Sequence, residues 1–224
     1  MNLNSIFIPD TTFAIVSIVT GGLGLFLYGI NLMSDSLKKL AGSRMKALIA
    51  KATGTLFKGI LTGAAVTCLI QSSSATTVIV VGLISAGLMT FRQSIGVMMG
   101  ANIGTTVTSF LIGLKVSNYS FLLLALGAVL YLFFKSKKLR ESGTLIFGFA
   151  ILFVGLELMS LGLEPLTEKA WFEGAMVSLS RHPLLGVLVG SGLTALIQSS
   201  SASIGVLQQI FATGAISLEA ALPI

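Results

Sequence analysis

The segment Gln71-Ser72-Ser73-Ser74-Ala75 returns unchanged as Gln198-Ser199-Ser200-Ser201-Ala202, and both copies lie inside long uncharged apolar stretches. Gln and Ser side chains are costly to place in hydrocarbon unless they find hydrogen-bond partners. Because the same polar string is placed twice in matching surroundings, the sequence predicts two halves of one binding site.

The composition is that of an all-α polytopic membrane protein. Of the 224 residues, 54% are hydrophobic and 10% are charged, whereas soluble domains carry about 25% charged residues. Several apolar runs reach the roughly 20 residues that a membrane-spanning helix needs. The formal net charge of +6 does not indicate a nucleic-acid partner, because the basic residues flank the apolar runs as membrane topology requires. The single cysteine, Cys68, excludes an internal disulfide and a cysteine zinc cluster.

The uncharged stretch 59–87 predicts a re-entrant hairpin. As one helix it would be about 43 Å long, against a hydrocarbon core of about 30 Å. Two half-helices that meet at the QSSS turn fit better, because broken backbone at that depth is tolerated where protein or a wet cavity surrounds it. Residues 184–214 repeat this pattern. Residues 94–114 predict a broken helix, interrupted by Gly100-Ala101-Asn102-Ile103-Gly104-Thr105-Thr106.

The distribution of charge predicts the topology. A first span near Phe13 to Met33 precedes a basic segment that is either a topogenic loop or an amphipathic helix in the membrane interface. Further spans are predicted at 119–134 and 143–163. The basic cluster Lys135 to Arg140 is then cytoplasmic and the acidic loop around Glu164 to Glu173 lies outside, as the positive-inside rule requires. The sequence therefore predicts a multi-pass protein of the plasma membrane, the bacterial inner membrane, with its N-terminus outside.

The repeat extends beyond the QSSS motif. Gly22 and Gly29 match Gly148 and Gly155 at an offset of 126 residues, and from Gly59 onward the offset is 127. Residues 1–135 therefore form a first repeat and residues 136–224 a second. Three crossings separate equivalent points, and an odd number gives the second copy the opposite orientation. The prediction is two inverted-topology repeats, each with a re-entrant hairpin and a broken helix, whose hairpins meet near the midplane as in secondary transporters.

The paired QSSSA strings, with GANIGTT at 100–106 following the first, resemble the type II sodium–phosphate cotransporters and their bacterial relatives. The resemblance covers nearly the whole chain, from about Gly21 to Leu218. It implies that the two QSSS hairpins face each other and carry phosphate and co-transported Na+, with no organic cofactor. The residues it implicates are Gln71, Ser72, Ser73, Ser74, Gln198, Ser199, Ser200 and Ser201, with Asn102, Thr105 and Thr106 as supporting ligands.

The residues themselves fit this chemistry. Phosphate at neutral pH is mostly a dianion, and serines 72–74 and 199–201 supply hydroxyl donors beside the backbone N–H groups of a helix start. Neither hairpin contains Lys or Arg, so bound cations are the natural source of compensating charge. Sodium takes hard oxygen ligands, which Gln carbonyls and Ser and Thr hydroxyls provide. Such a site binds the anion well only when sodium is present, which is what coupling requires.

Several of these residues have a structural alternative. Thr67 and Thr194 each precede their Gln by four residues on one helix face, so each is either a sodium ligand or a Thr bonding back to its own helix. The alternative for the serines is that they form hydrogen bonds between packed helices. The alternative for the segment around Asn102 is a bend that serves only helix packing. Glu157, the only carboxylate well within a span, is a candidate for cation binding or proton transfer. A structural hydrogen bond is favoured for it, because Asn31 holds the equivalent place.

The second copy stops at Ile224, before its own NIGTT equivalent. This predicts a chain that is truncated, that partner chains or a homo-oligomer complete, or that does not transport as it stands. With one His and no phosphate-binding glycine loop before a Lys, no enzyme signature is present. We expect a sodium-driven phosphate symporter that works by alternating access. The alternatives are a symporter of another oxyanion or an organic acid, and a non-transporting assembly or sensor subunit.

Overall fold

The computed structural model describes residues 12–41, 54–113, 117–167 and 169–224, and within them the chain is helical, without β-strands. A short 3₁₀ helix, Ser117–Tyr119, precedes α5. The α-helices in chain order are α1 (Thr12–Ala41), α2 (Leu56–Ile70), α3 (Ser73–Ser85), α4 (Phe91–Gly113), α5 (Ser120–Phe133), α6 (Lys137–Thr167), α7 (Ala170–Arg181), α8 (Pro183–Ile197), α9 (Ser200–Ala212) and α10 (Leu218–Ala221).

Three of the described helices are long and apolar enough to cross a membrane, which makes this a membrane protein by length and composition. They are the segments Thr12–Leu40, Phe91–Gly113 and Lys137–Pro165. The predicted span 119–134 is shorter in the structure: α5 has 14 residues and is therefore about 21 Å long, against a hydrocarbon core of about 30 Å. The predicted amphipathic segment falls largely on residues 42–53, outside the described residues.

The internal repeat is visible in the positions of the helices. Helices α8 and α9 begin and end 127 residues after α2 and α3, and α10 begins 127 residues after α4. Helix α6 ends 126 residues after α1. Gly87 and Gly214, also 127 apart, share a positive φ, of 69° and 73°, in the turn that follows α3 and α9. The repeat predicted from matching residues is therefore a repeat of local structure, whereas its inverted orientation stays a prediction.

The chain forms two compact units. The first comprises Met1–Gly29, Val116–Phe121 and Ala150–Ile224, and the second comprises Ile30–Lys115 and Leu122–Phe149. The second unit has a core of Val66, Ile70, Val80, Met89 and Val97, supplied by α2, α3 and α4. In the first unit, Ile216, Ala220 and Ala221 form a buried cluster with Leu207, Ile210 and Ile224 packed around it.

Helices α2 and α4 pack through glycine. A Cβ atom on Gly63 would lie 2.0 Å from the carbonyl oxygen of Val97, and one on Gly100 would lie 2.0 Å from that of Ile60. Gly104 continues the same row, where a Cβ would meet the Ala64 carbonyl oxygen at 2.5 Å. Backbones this close require small residues at the interface, as in other membrane helix pairs. The same packing recurs in the second copy, where a Cβ on Gly190 would lie 2.0 Å from the Ile224 carbonyl oxygen.

Two predicted elements differ in the structure. The predicted broken helix at 94–114 is wrong, because α4 is continuous from Phe91 to Gly113. Its glycines serve close packing against α2, and the hydroxyls of Thr105 and Thr106 bond back to the carbonyls of Ala101 and Ile103, at 3.0 Å and 2.7 Å. The predicted outer loop after residue 164 is also more ordered than expected, because it contains the 12-residue helix α7. In the first turn of this helix, the ring centroids of Trp171 and Phe172 lie 5.6 Å apart in an edge-to-face contact.

Candidate functional site

The first QSSS segment forms a two-residue break between α2 and α3. Gln71 ends α2 in the left-handed conformation, with φ 57° and ψ 28°, and its backbone N–H donates to the Thr67 carbonyl at 2.7 Å. Its side-chain Nε2 donates to the Cys68 carbonyl. Ser72 is extended and starts α3, where its hydroxyl accepts a hydrogen bond from the Ala75 N–H at 3.2 Å. A serine that caps a helix start in this way stabilises the helix by about 1 kcal/mol.

The second QSSS segment has the same geometry. Gln198 ends α8 with φ 58° and ψ 23°, its N–H donates to the Thr194 carbonyl at 2.8 Å, and its Nε2 donates to the Ala195 carbonyl. Ser199 starts α9, and its hydroxyl accepts from the Ala202 N–H at 3.3 Å. One local structure is therefore built twice from the same five residues.

The two glutamines are conformationally exceptional. Gln71 and Gln198 are the only non-glycine residues with positive φ in the described part of the chain. A non-glycine residue held there costs about 1–3 kcal/mol, and such strain clusters at functional sites. The strain falls on the two residues that the sequence singles out, which supports a functional reading of both turns.

Each turn leaves hydrogen-bond donors available. The backbone N–H groups of Ser73 and Ser74 and both side-chain hydroxyls have no partner among the described residues, and the same holds for Ser200 and Ser201. Ser74 and Ser200 are exposed, and the other two are half-buried. The first N–H groups of a helix point outward along its axis and carry its positive potential. Each turn thus offers two amides and two hydroxyls to an anion.

Each turn also brings together two helix ends of opposite sign. The C-terminal end of α2 carries partial negative charge and the N-terminal end of α3 carries partial positive charge, with only Gln71 and Ser72 between them. The pairing repeats at α8 and α9. A cation is favoured beside the carbonyls of the first end and an anion beside the amides of the second. Both ions can therefore be held within a few residues of each other.

A hydrogen bond between two hydroxyls joins the helices on either side of each turn. The Oγ1 atoms of Thr67 and Thr76 lie 2.8 Å apart, and both residues are 0% exposed. In the second copy, the Thr194 hydroxyl donates to the Ser203 hydroxyl at 3.0 Å. Thr67 and Thr194 therefore do not bond back to their own helices, because each hydroxyl bonds across the turn to the next helix. A role as sodium ligands stays a prediction.

Helix α4 contributes one contact to the first turn. The hydroxyl of Thr108, which is 2% exposed, donates to the side-chain Oε1 of Gln71. Thr108 follows Gly96, Gly100 and Gly104 at four-residue intervals, so it continues the face of α4 that packs on α2. The Gln71 amide is thus held at both ends, by Cys68 on its own helix and by Thr108 on α4.

The three predicted supporting ligands lie elsewhere on α4. Thr105 is half-buried, whereas Asn102 and Thr106 are exposed. Residues two apart on a helix point to nearly opposite sides, so Thr106 does not share a face with Thr108. None of the three makes a hydrogen bond to either QSSS segment within the described residues.

Glu157 is the one exposed residue between Glu141 and Leu163, all of which the structure describes. The structural hydrogen bond favoured for it is not made to any described residue. Asn31, its equivalent in the first copy, is exposed as well.

Three residues of the site were missed in the sequence. They are Thr76, Ser203 and Thr108. Thr76 and Ser203 stand five residues after Gln71 and Gln198, just outside the identical string. An alignment of the two repeats that treats Thr and Ser as equivalent would have found them. Thr108 is found by following the four-residue glycine spacing one step further.

Comparisons with known proteins find one matching family and several relatives. The sequence profile of the Na+/Pi-cotransporter family matches residues 25–161 and 157–224. The chain is 31% identical over 199 residues to the uncharacterized protein YqeW of Bacillus subtilis (strain 168), covering 89% of this chain and 64% of YqeW. It is 24% identical over 200 residues to the putative inorganic phosphate export protein YjbB of Escherichia coli (strain K12), covering 89% of this chain and 37% of YjbB.

A further relative is the sodium-dependent phosphate transport protein 2A of Rattus norvegicus, with 36% identity over 102 residues, which are 44% of this chain and 16% of that protein. The chain therefore spans less than two thirds of the length of each of these relatives. No solved structure is a significant match to it.

Proposed function

The chain belongs to the Na+/Pi-cotransporter family, and on this premise we propose that it carries inorganic phosphate across the plasma membrane together with sodium ions. The family is one of cotransporters and not of enzymes. The observation that carries the proposal is the duplicated turn, in which a strained glutamine and a helix-capping serine stand between two helix ends of opposite sign.

Phosphate binds at the N-terminal ends of α3 and α9. Its oxygens accept hydrogen bonds from the N–H groups of Ser73 and Ser74 in one turn and of Ser200 and Ser201 in the other, with the serine hydroxyls as further donors. Ser72 and Ser199 keep their oxygens on their own helices, and their hydroxyl protons remain free to donate. Anions bind well at such helix starts because donors and dipole act together.

Sodium binds on the carbonyl side of the same turns. The side-chain nitrogens of Gln71 and Gln198 donate to carbonyls in the last turns of their own helices, so each Oε1 atom faces away from that bond as an oxygen ligand. The Gln71 Oε1 also accepts the Thr108 hydroxyl, and its second lone pair is the one offered to sodium. We propose Asn102, Thr105 and Thr106 as further ligands from α4. Binding to all three requires α4 to open or turn, because Asn102 and Thr106 do not lie on the face that bears Thr108.

Sodium supplies the positive charge that the turns lack. The described parts of both helix pairs between residues 59–87 and 184–214 contain no Lys or Arg. A sodium ion about 4 Å from a phosphate charge contributes about 4 kcal/mol at an effective dielectric constant near 20, which is roughly a thousandfold in affinity. Phosphate therefore binds weakly until sodium is present. A thousandfold difference in phosphate affinity is enough to couple phosphate transport to sodium transport.

We further propose the membrane arrangement expected from the sequence. The two helix pairs are re-entrant hairpins that enter from opposite faces of the plasma membrane and meet near its midplane. The two repeats alternately open this site to each side, as in other secondary transporters. The positive charge on Lys135 to Arg140 supports a cytoplasmic position for that segment and an N-terminus outside.

The direction of transport is a separate question. A relative in Escherichia coli is named a putative phosphate export protein, and one in rat is named sodium-dependent. A symporter follows the sodium gradient, so the same mechanism gives uptake when sodium is high outside. We propose uptake, and reversing the sodium gradient in vesicles tests it.

The test is transport of radiolabelled phosphate into proteoliposomes that contain the purified protein. We expect uptake that requires external sodium and that stops when choline replaces it. Ser73→Ala and Ser200→Ala should each abolish it, whereas Ser85→Ala, a matched control at the far end of α3, should not. Sodium-independent uptake would refute the coupling, and failure of phosphate to compete would indicate another oxyanion or an organic acid. Phosphate binding without flux would indicate an assembly or sensor subunit.

A further inference from the structure

The hydrogen bonds across each turn run in one direction. The Thr76 hydroxyl donates its single proton to the Ser72 carbonyl at 3.1 Å, so in its contact with Thr67 it must accept. The order is therefore Thr67 hydroxyl to Thr76 hydroxyl to Ser72 carbonyl. In the second copy, the Ser203 hydroxyl donates to the Ser199 carbonyl at 3.1 Å and accepts from Thr194. Each of these chains of two hydrogen bonds is called a relay below. The two relays run in the same direction and lie 127 residues apart.

Each relay connects three parts of its turn. It starts on the last turn of the entering helix, passes through the first turn of the leaving helix, and ends on the carbonyl of the serine that caps it. The Thr67 carbonyl also accepts the N–H of Gln71. One threonine therefore holds the strained glutamine through its backbone and the capping serine through its side chain.

We propose that Thr76 and Ser203, together with Thr67 and Thr194, are positioning residues that hold the two QSSS turns in the conformation that binds phosphate. The inference rests on the proposed function for its link to phosphate. Thr67 and Thr76 are 0% exposed and their protons are committed. Because no part of Thr67 is exposed to an ion, it acts through Thr76 and not as a sodium ligand. Thr194, whose hydroxyl bonds to Ser203 in the same way, has the equivalent role.

The proposal explains why a threonine, Thr76, stands in one copy where a serine, Ser203, stands in the other. The relay needs only a hydroxyl that accepts one hydrogen bond and donates another, and both residues supply it. A valine in place of threonine keeps the shape but removes the hydroxyl. Such a change leaves the Thr67 proton without its partner and leaves the Ser72 carbonyl with only the Thr76 backbone N–H, at 3.2 Å, whereas serine preserves both side-chain bonds.

The experiment compares Thr67→Val, Thr76→Val and the double variant with Thr76→Ser. Thr77→Val is the matched control, because the Thr77 hydroxyl bonds to the Ser73 carbonyl of its own helix and not across the turn. Two readouts are measured on the full chain. They are hydrogen exchange of the backbone amides of residues 71–77 in detergent, and the phosphate and sodium dependence of transport in proteoliposomes.

We expect Thr67→Val and Thr76→Val each to speed exchange at the Gln71 and Thr76 amides and to raise the KM for phosphate, by about tenfold, the loss of one buried hydrogen bond. The double variant should be no worse than either single one, because both break the same relay. Thr76→Ser and Thr77→Val should behave as wild type. In the second copy, Ser203→Ala should reproduce the defect and Ser203→Thr should not.

The proposal is overturned if Thr67→Val alone shifts the sodium dependence while Thr76→Val does not, since Thr67 would then be a ligand. It is also overturned if the two effects add, or if the exchange of residues 71–77 is unchanged. If the wild-type protein shows no sodium-dependent phosphate transport while the valine variants still loosen the turn, the proposed function fails and the structural role of the relay stands. Should Thr76→Val not fold, the Ser203→Ala and Ser203→Thr pair decides the matter.

Discussion

Replacing Gly100 by alanine should separate the helices that hold the first turn. The new Cβ atom would lie 2.0 Å from the Ile60 carbonyl oxygen and 2.8 Å from the Ala64 nitrogen, and both are backbone atoms. No side-chain rotation relieves this, so α2 and α4 must move apart until the first contact reaches about 3.4 Å, an ordinary contact distance. The same movement pulls Thr108 away from Gln71.

The magnitude follows from opposing effects. Overpacking of this kind lowers the free energy of unfolding by about 3 kcal/mol. The higher helix propensity of alanine raises it by about 1 kcal/mol. The expected net loss is about 2 kcal/mol, which in a chain of this size lowers the Tm by about 4–8 °C. Thermal unfolding of the purified protein in detergent measures the loss, and proteoliposome uptake measures its effect on transport.

Gly113→Ala is the matched control on the same helix. A Cβ there would meet nothing within 4 Å, so this variant should be at least as stable as wild type and should transport normally. If Gly100→Ala kept the wild-type Tm and uptake, close packing of α2 on α4 would not be what places Thr108 against the turn, and the reasoning would be refuted.

Two further substitutions separate the roles of the turn residues. Gln71→Gly relieves the positive φ, worth about 1–3 kcal/mol, but loses the hydrogen bond from Thr108, worth about 1 kcal/mol, so the Tm should change little. It also removes the Oε1 ligand, so the sodium concentration for half-maximal uptake should rise at least tenfold. An unchanged sodium dependence would remove Gln71 from the cation site. Ser72→Asp still caps α3, because Asp and Ser are comparable at that position, but its carboxylate repels phosphate. We expect Ser72→Asp to unfold at the wild-type temperature but to show no phosphate uptake. Ser72→Asn, which caps the helix without a charge, is the control and should show near-normal uptake. Equal uptake by the two variants would contradict an anion site at this helix start.

Local structure near the repeated string followed closely from the sequence. Identical polar residues 127 apart predicted equivalent breaks, and both helix pairs end and begin at the same positions of the repeat. The family predicted from those strings is confirmed by the profile match. The left-handed glutamines were not predictable, because glutamine has no preference for that conformation and the strain is imposed by the surrounding bonds.

The error at Gly100 to Thr106 has a physical origin. Glycine weakens a helix and also allows another helix to approach closely, and a single sequence does not say which property is used. The four-residue spacing of Gly96, Gly100 and Gly104 favours the second, because such residues share one face. Thr76 and Ser203 were missed for another reason: their importance lies in contacts to Thr67 and Thr194 across the turn, which a comparison of strings does not contain.

The most direct measurement is equilibrium binding of radiolabelled phosphate to the purified protein in sodium chloride and in choline chloride at equal ionic strength. The two turns, as neutral donors beside a cation site, predict saturable binding in sodium that is weaker in choline by well over tenfold, and that is lost in the Ser73→Ala, Ser200→Ala double variant. Equal affinity in the two salts, or binding that survives without both serines, would contradict the account.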